Sequence, residues 1–255
     1  MEKTLYMKVS KDDIGTYVIF SGDPWRVETI KDFLDEPVKV AFSREYNTYT
    51  GLYKGVKVTI TSTGIGAPSA AIAMEEMYQA GMEVALRMGT VMSLKDDMLG
   101  GYVVPVGSIR RESTSLTYAP LEYPAIADHQ LLETINETLT DHGQRIDNGL
   151  NATLDGFYSQ MHESRFGKEK KIDYDATFDE LKKLNVSGID MESSCMLVLG
   201  RLMNVKTAIL TLVTVLENLK DVLSGKERKE KEKELCEIAL ESIVRYDKKE
   251  RENHG

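Results

Sequence analysis

The sequence predicts an α/β fold, one domain with a central mixed β-sheet flanked by helices. Short β-branched apolar runs alternate with helix-forming stretches along the chain. At 255 residues and 42% hydrophobic content, the chain can bury one large core. No composition shift, internal repeat or low-complexity linker divides it, so residues 1–255 read as a single domain.

The elements follow in order. Tyr17–Phe20 is an apolar strand that ends abruptly in Ser21-Gly22-Asp23-Pro24, with Trp25 and Arg26 just beyond. Lys57–Thr61 is a second strand, closed by Thr63-Gly64-Ile65-Gly66. Ala67 to Ala80 is rich in good helix formers and stops at Gly81. Glu83–Gly89 reads as a third strand, ending in an Arg87-Met88-Gly89-Thr90 turn. Gly101–Ile109 reads as a fourth, which Pro105 pushes towards an edge or a bulge. A helix spans about Met191 to Met203, and Thr207–Val215 is a long β-branched run suited to a buried strand. In the charge run KERKEKEKE, Lys226–Glu234, the pattern is that of a solvated helix face. Leu235, Ile238, Ala239, Ser242 and Tyr246 then recur at helical spacing as the buried stripe of a closing helix. Lys248–Gly255 reads as a frayed polar tail.

Charge and composition exclude several function classes. A net charge of −9 argues against a nucleic-acid binder, so any anionic ligand must be held by a local cluster of Arg. No apolar stretch reaches the roughly 20 residues of a membrane span. The start, MEKTLYMKVSKDD, lacks the apolar core of a signal peptide. Cys195 and Cys236 cannot form a disulfide framework, and His129, His142, His162 and His254 show no metal-ligand spacing. The expectation is a soluble, reduced, cytoplasmic protein with no metal and no cofactor. Ligands on α/β sheets gather at the carboxyl ends of strands, where the Gly22, Gly64 and Arg87 turns are expected.

Each of these turns is weak evidence alone, and their order and spacing carry more. GDPWRV, LRMGT, DGFYSQMHESR, DMESSCML and the run from Phe42 to Met77 appear in succession. With them, the sequence resembles the uridine phosphorylases of the hexameric nucleoside phosphorylase superfamily, from about Leu5 to Leu216. Thr117–Asp128 and the Phe-Tyr-x-Gln…Arg pattern resemble the pyrimidine branch.

The resemblance implies a nucleoside phosphorylase-like fold and phosphorolysis of uridine to uracil and ribose 1-phosphate. It implies that Gly22, Arg26, Arg87 and Thr90 hold inorganic phosphate, the co-substrate, with Arg44 reaching in from a neighbouring subunit. An Arg fork matches phosphate oxygens, and a Gly turn lets backbone N–H groups approach an anion. Met191 and Glu192 are implied at the ribose, one carboxylate accepting from two vicinal hydroxyls. Phe157, Gln160 and Arg165 are implied at the base, with Arg87, Arg165 and Gln160 stabilising the transition state. Shared sites imply a homo-oligomer, a dimer at minimum and a hexamer by family habit. The resemblance also allows a monovalent cation near Glu45 and Ser69 at the dimer interface.

The sequence departs from the family pattern in three places. Val91-Met92 replaces a small residue and a Gly, which predicts crowding of the phosphate or base pocket. Tyr6 stands where the family has a His that reaches a neighbour's ribose 5′-hydroxyl. Glu217 lies about where purine phosphorylases carry a catalytic Asp. These keep two alternatives open: a purine nucleoside phosphorylase or nucleosidase, and a catalytically impaired nucleoside-binding homologue.

Overall fold

Continuous β-branched runs in this chain become strands covered on both faces. A computed structural model describes residues 2–217 and 221–254. In chain order the main elements are β1 (Tyr17–Ser21), α1 (Pro24–Ile30), β2 (Asp35–Ser43), β3 (Tyr46–Tyr53), β4 (Val56–Ser62), α2 (Ala67–Gln79) and β5 (Val84–Ser93). Then come β6 (Tyr102–Val103), β7 (Gly107–Arg111), α3 (His129–Asp141), β8 (Ile146–Asp147) and β9 (Leu150–Leu154). A π-helical turn (Phe157–Met161), α4 (Arg165–Lys170) and α5 (Tyr174–Lys183) lead to β10 (Val186–Asp190), α6 (Ser193–Leu202), β11 (Lys206–Leu216) and α7 (Gly225–His254).

The strands join one 11-stranded mixed sheet in the order β2-β3-β4-β1-β5-β10-β9-β7, with β11 pairing β5 and β6. β5 is its spine. Along one edge β11 runs parallel to it from Val84 to Ser93. On the other edge β1 runs parallel from Val84 to Met88, where Ser21 is the last partner. β10 then arrives antiparallel, with Ile189 opposite Met92 and Gly188 opposite Ser93. Two strands thus point their carboxyl ends at each other along one edge of β5, and Gly89, Thr90 and Val91 have no strand neighbour there. β4 ends level with β1, Ser62 opposite Ser21. Such a gap, at the carboxyl ends of two strands, is where α/β sheets place a binding cleft.

Helices cover both faces. α7 buries Leu235, Ile238, Ala239, Ser242 and Tyr246, the stripe expected from helical spacing. It packs with α3 and α1 over a core that includes Ile19, Val27, Leu86, Leu131 and Leu210. α2 and α6 close a second core around Phe20, Met74, Ala85 and Cys195. α7 is helical through Lys248 to His254, where the sequence suggested a frayed tail. Arg251 pairs with Asp247 one turn back, and Asp247 accepts from the Tyr17 hydroxyl. Those contacts tie the last turns to the sheet.

Two boundaries differ from expectation, and one hairpin was not expected. Gly101–Ile109 is not one strand, because the chain breaks around Pro105 into β6 and β7. β5 does not end at Gly89 but continues to Ser93, so Arg87 and Thr90 sit inside a strand and not on a loop. β2 and β3 form a hairpin whose two-residue tip is Arg44-Glu45, with Arg44 at φ 55°. Left-handed backbone is uncommon for a residue with a Cβ.

Candidate active site

The gap in the sheet collects the buried polar groups. Arg87, 5% exposed, lies on β5 at its edge. Its Nη2 donates to the Glu192 carboxylate and lies 3.2 Å from Asp190 Oδ2. Asp190 ends β10 and Glu192 follows two residues on, at the start of α6, and the antiparallel pairing brings both to this point. Burial works against the Arg87 charge, but Glu192 and Asp190 more than offset it and raise its pKa further. The other terminal nitrogen, Nη1, is buried with no hydrogen-bond partner among the described residues. It lies over Gly89, where a Cβ would fall 1.9 Å away, so any larger residue would push this guanidinium off its carboxylates.

Glu192 is half of a bridge. Its second oxygen accepts from the Gly66 N–H at 2.6 Å. Gly64 and Gly66 hold φ of 72° and 98°, left-handed values that glycine adopts at little cost and that turn this amide towards the cleft. Although Glu192 is the N-cap residue of α6, its side chain makes no capping bond. Asp190 instead accepts from Ser193 N and Oγ, Asn151 and Thr153, which fixes the turn between β10 and α6. The two acids of the DMESS motif therefore divide the labour, Asp190 holding the helix start and Glu192 bridging Arg87 and Gly66.

Facing them is the turn after β1. Gly22 approaches the Gly64 carbonyl, with 3.4 Å between that oxygen and the position a Cβ would take. Asp23 caps α1 by accepting from Trp25 N. α1 then returns Arg26, 8% exposed, so that Nη1 donates to Ser21 Oγ at 3.1 Å and Nη2 reaches Glu232 of α7 at 3.4 Å. Arg26 Nε is buried with no partner among the described residues. A buried guanidinium N–H without an acceptor is costly, and here two Arg carry one each. Thr90 is half-buried in β5, two residues beyond the end of the β1 pairing.

The other end is built from exposed parts. Phe157, Gln160 and Arg165 lie on the π-helical turn and the first residue of α4. Phe157 is stacked on His162, with ring centroids 5.4 Å apart and 17° between planes, so one of its faces is occupied. Gln160 Oε1 already accepts from Gly156 N at 2.8 Å. Arg165 has a side chain 93% exposed and donates to Glu169 at 3.0 Å. Arg165 is thus turned to solvent, unlike Arg87, and only a rearrangement brings it to a base.

Arg44 and Tyr6 form a separate pair at the rim. The Arg44 guanidinium lies over the Tyr6 ring, 5.1 Å from its centroid, and Arg44 is exposed. The carboxylate of Glu76 anchors this N-terminal segment by accepting from Tyr6 N and Met7 N. The rim abuts the glycine turn, since Glu45 packs on Gly64 and the Tyr46 hydroxyl donates to Ser69 O.

The crowding expected from Val91-Met92 does not arise from Val91. Its side chain packs against Gly188, where an added Cβ would sit 2.7 Å from Val91 Cγ2, and joins Met98, Val103 and Val213. Met92 enters a cluster with Met161, Ile189 and, at its margin, Met191 and Val215. Glu217 N donates to Ser93 O at the end of β5. Lys182 of α5 donates to one Glu217 oxygen, and the other is buried with no partner among the described residues. Glu217 lines a cavity of about 400 Å³ with Met161, Tyr174 and Phe178. Among the described residues no helix is long and apolar enough to cross a membrane, and no group of three or more His, Cys, Asp or Glu is placed to hold a metal.

A family model described as the phosphorylase superfamily matches residues 16–245. The chain belongs to the phosphorylase superfamily. Uridine phosphorylase from Escherichia coli strain K12 is 30% identical over 94% of this chain and 96% of that protein. A guanosine phosphorylase from Halorubrum lacusprofundi is 34% identical over 94% of this chain and 96% of its own. A crystal structure of uridine phosphorylase from Vibrio fischeri ES114 superposes with a TM-score of 0.86 at 31% identity, covering 96% of this chain and 98% of that one. Within this superfamily member, sequence reasoning missed Asp190 as a partner of Arg87, the Gly66 amide, and Glu232. Asp190 stood in a quoted motif, so its signal was present. The Glu232 signal was hidden in a charge run.

Proposed function

We propose that the protein cleaves uridine with inorganic phosphate to give uracil and ribose 1-phosphate, as a pentosyltransferase of nucleoside salvage. The observation that carries this reading is the pair of unpartnered buried guanidinium N–H groups, Arg26 Nε and Arg87 Nη1, near the Gly22 turn and Gly89. An oxyanion with several acceptor oxygens satisfies both, and Gly22 N–H and Thr90 add donors. The uridine phosphorylase relatives support the choice of nucleoside.

In this reading Glu192 accepts from the ribose hydroxyls, held in place by Gly66 and Arg87, and Met191 packs against the sugar. A phosphate oxygen bonds to C1′ while the C1′–N1 bond breaks. The bonding pair leaves with uracil, which takes up a proton from water. Charge on the sugar is positive in the transition state and favoured by the phosphate dianion. Negative charge on the departing base is favoured by Gln160 and by Arg165, once it leaves Glu169 and turns inward. Arg is too basic to give up its proton, so its role is electrostatic.

Arg44 and Tyr6, at the rim beside Gly64, serve a neighbouring subunit's phosphate and ribose, which makes a two-fold dimer the minimum unit and a homohexamer its assembly in the cytoplasm. Glu45 and Ser69 offer only oxygen donors, which suits a hard monovalent cation at that interface.

A purine nucleoside is the second reading. It is favoured by the unpartnered Glu217 oxygen and by the guanosine phosphorylase relative. Incubation with uridine, guanosine, inosine and adenosine, with and without phosphate, separates the readings. Uracil release that requires phosphate is expected. Release undiminished in phosphate-free buffer means a hydrolase, and rapid guanosine cleavage with slow uridine cleavage means the purine branch. Refolding Arg44→Ala and Arg87→Ala together tests the shared site. Random pairing restores up to about a quarter of wild-type activity if sites are shared, and nothing above the mean of the two mutants if they are not.

A further inference from the structure

The charge run that opens α7 is not wholly a solvated face. Glu232 points back into the molecule, 26% exposed, with Oε1 at 3.4 Å from Arg26 Nη2 and 3.1 Å from Arg228 Nε. Its neighbour Cys236 feels the same pair. Burial pushes that thiol up to about 12, Arg26 pulls it down and Glu232 pushes it up. Of the groups facing Arg26, Ser21 Oγ takes Nη1 and Glu232 takes Nη2. Nε remains buried without a partner among the described residues. The guanidinium is therefore held at its tip, with a buried Nε–H that no described residue satisfies.

We propose that Glu232 sets the affinity of the Arg26 anion site, holding the guanidinium in place while weakening its pull on phosphate. The inference rests on the reading of Arg26 as a phosphate ligand. A carboxylate hydrogen-bonded to the same guanidinium offsets part of its positive charge and repels a dianion a few ångströms away. It also fixes the planar fork that recognises the phosphate oxygens. Glutamine keeps the shape and the acceptor and removes the charge.

The test measures KM for inorganic phosphate at saturating nucleoside and constant ionic strength, with calorimetric titration of inorganic phosphate alongside. Glu232→Gln should lower the phosphate KM by about two- to fivefold, the range expected for a partly exposed charge pair, with the nucleoside KM unchanged. Glu230→Gln is the control, because the Glu230 side chain is 66% exposed and, among the described residues, forms a salt bridge only with Lys226, at 3.4 Å. It should leave the phosphate KM as it is. An unchanged or raised phosphate KM in Glu232→Gln overturns the proposal. So does an equal fall in Glu230→Gln, which would make the effect one of overall charge. Base release independent of phosphate in the wild type would instead remove the phosphorylase reading itself.

Discussion

Arg87 and Arg165 carry the same guanidinium in opposite settings. Arg87 sits on the central strand at 5% exposure, between two carboxylates delivered by an antiparallel neighbour. Arg165 opens a short helix, with its side chain 93% exposed and one partner a turn away. The first is preorganised by the sheet before any ligand arrives. The second is free to be ordered by what binds. In the proposed function the difference separates two tasks: a rigid end suited to holding an anion and a sugar, and an adaptable end suited to choosing a base.

The largest test of this contrast is Arg87→Ala. It strands Asp190 and Glu192 as buried carboxylates without their cation, which should cost about 3–5 kcal/mol of stability in denaturant unfolding. Removing a donor aimed at the reacting anion should also lower kcat/KM by about 10²–10³-fold. A stable, active variant would show that the buried end is not organised by this residue. Glu192→Gln is milder, because the amide still accepts from Gly66. Losing one charge-assisted bond should cost about tenfold to a hundredfold in kcat/KM, read mainly as a higher nucleoside KM.

Arg165→Ala belongs to the other side of the contrast. Melting should be indistinguishable from wild type, since an exposed surface change is usually close to neutral. Uridine cleavage should fall by about tenfold, the worth of one hydrogen bond to developing charge, with calorimetric phosphate binding retained. A fall in stability would mean that the exposed end is not independent of the fold.

The smallest effect concerns the thiols behind the rigid end. Cys195 lies in α6 with Sγ 3.9 Å from Ala67 O, and Cys236 lies in α7 behind Arg26. Burial pushes both up, Cys236 to about 12. An unfolded thiol titrates near 8.5, so the folded state holds its protons longer. This contribution to stability is present below about pH 8.5 and is lost as pH rises towards 12. Alkylation at pH 8 followed by mass measurement should label neither thiol in the native protein and both after unfolding. Fast native labelling would mean that the buried end opens readily.

How much of this was legible in the sequence follows from the same physics. β1, β4 and β11 announced themselves as apolar, β-branched runs because both their faces are covered. α7 announced itself by its stripe. The β2–β3 hairpin did not, because its tip is Arg44-Glu45 and not the Asn-Gly or Asp-Gly that marks such turns. β5 was cut short at Gly89, since a Gly in a strand reads as an ending, whereas here it makes room for Arg87. Arg26, Arg87 and Glu192 were found through motif order. Their mutual geometry depends on β10 meeting β5 antiparallel, a long-range pairing that no local pattern encodes. The outward pose of Arg165 and the inward pose of Glu232 are set by neighbours 4 and 206 positions away.

Between Met88 and Met92 the spine of the sheet has no strand on one side. An ordinary sheet would be completed there by more backbone, and the proposed function gives that place to phosphate and nucleoside. In that reading the protein carries a fault in its own lattice that bound substrate heals. Occupancy and rigidity at this point are therefore one quantity, and amide protons near Gly89–Val91 should exchange with solvent more slowly as the cleft fills.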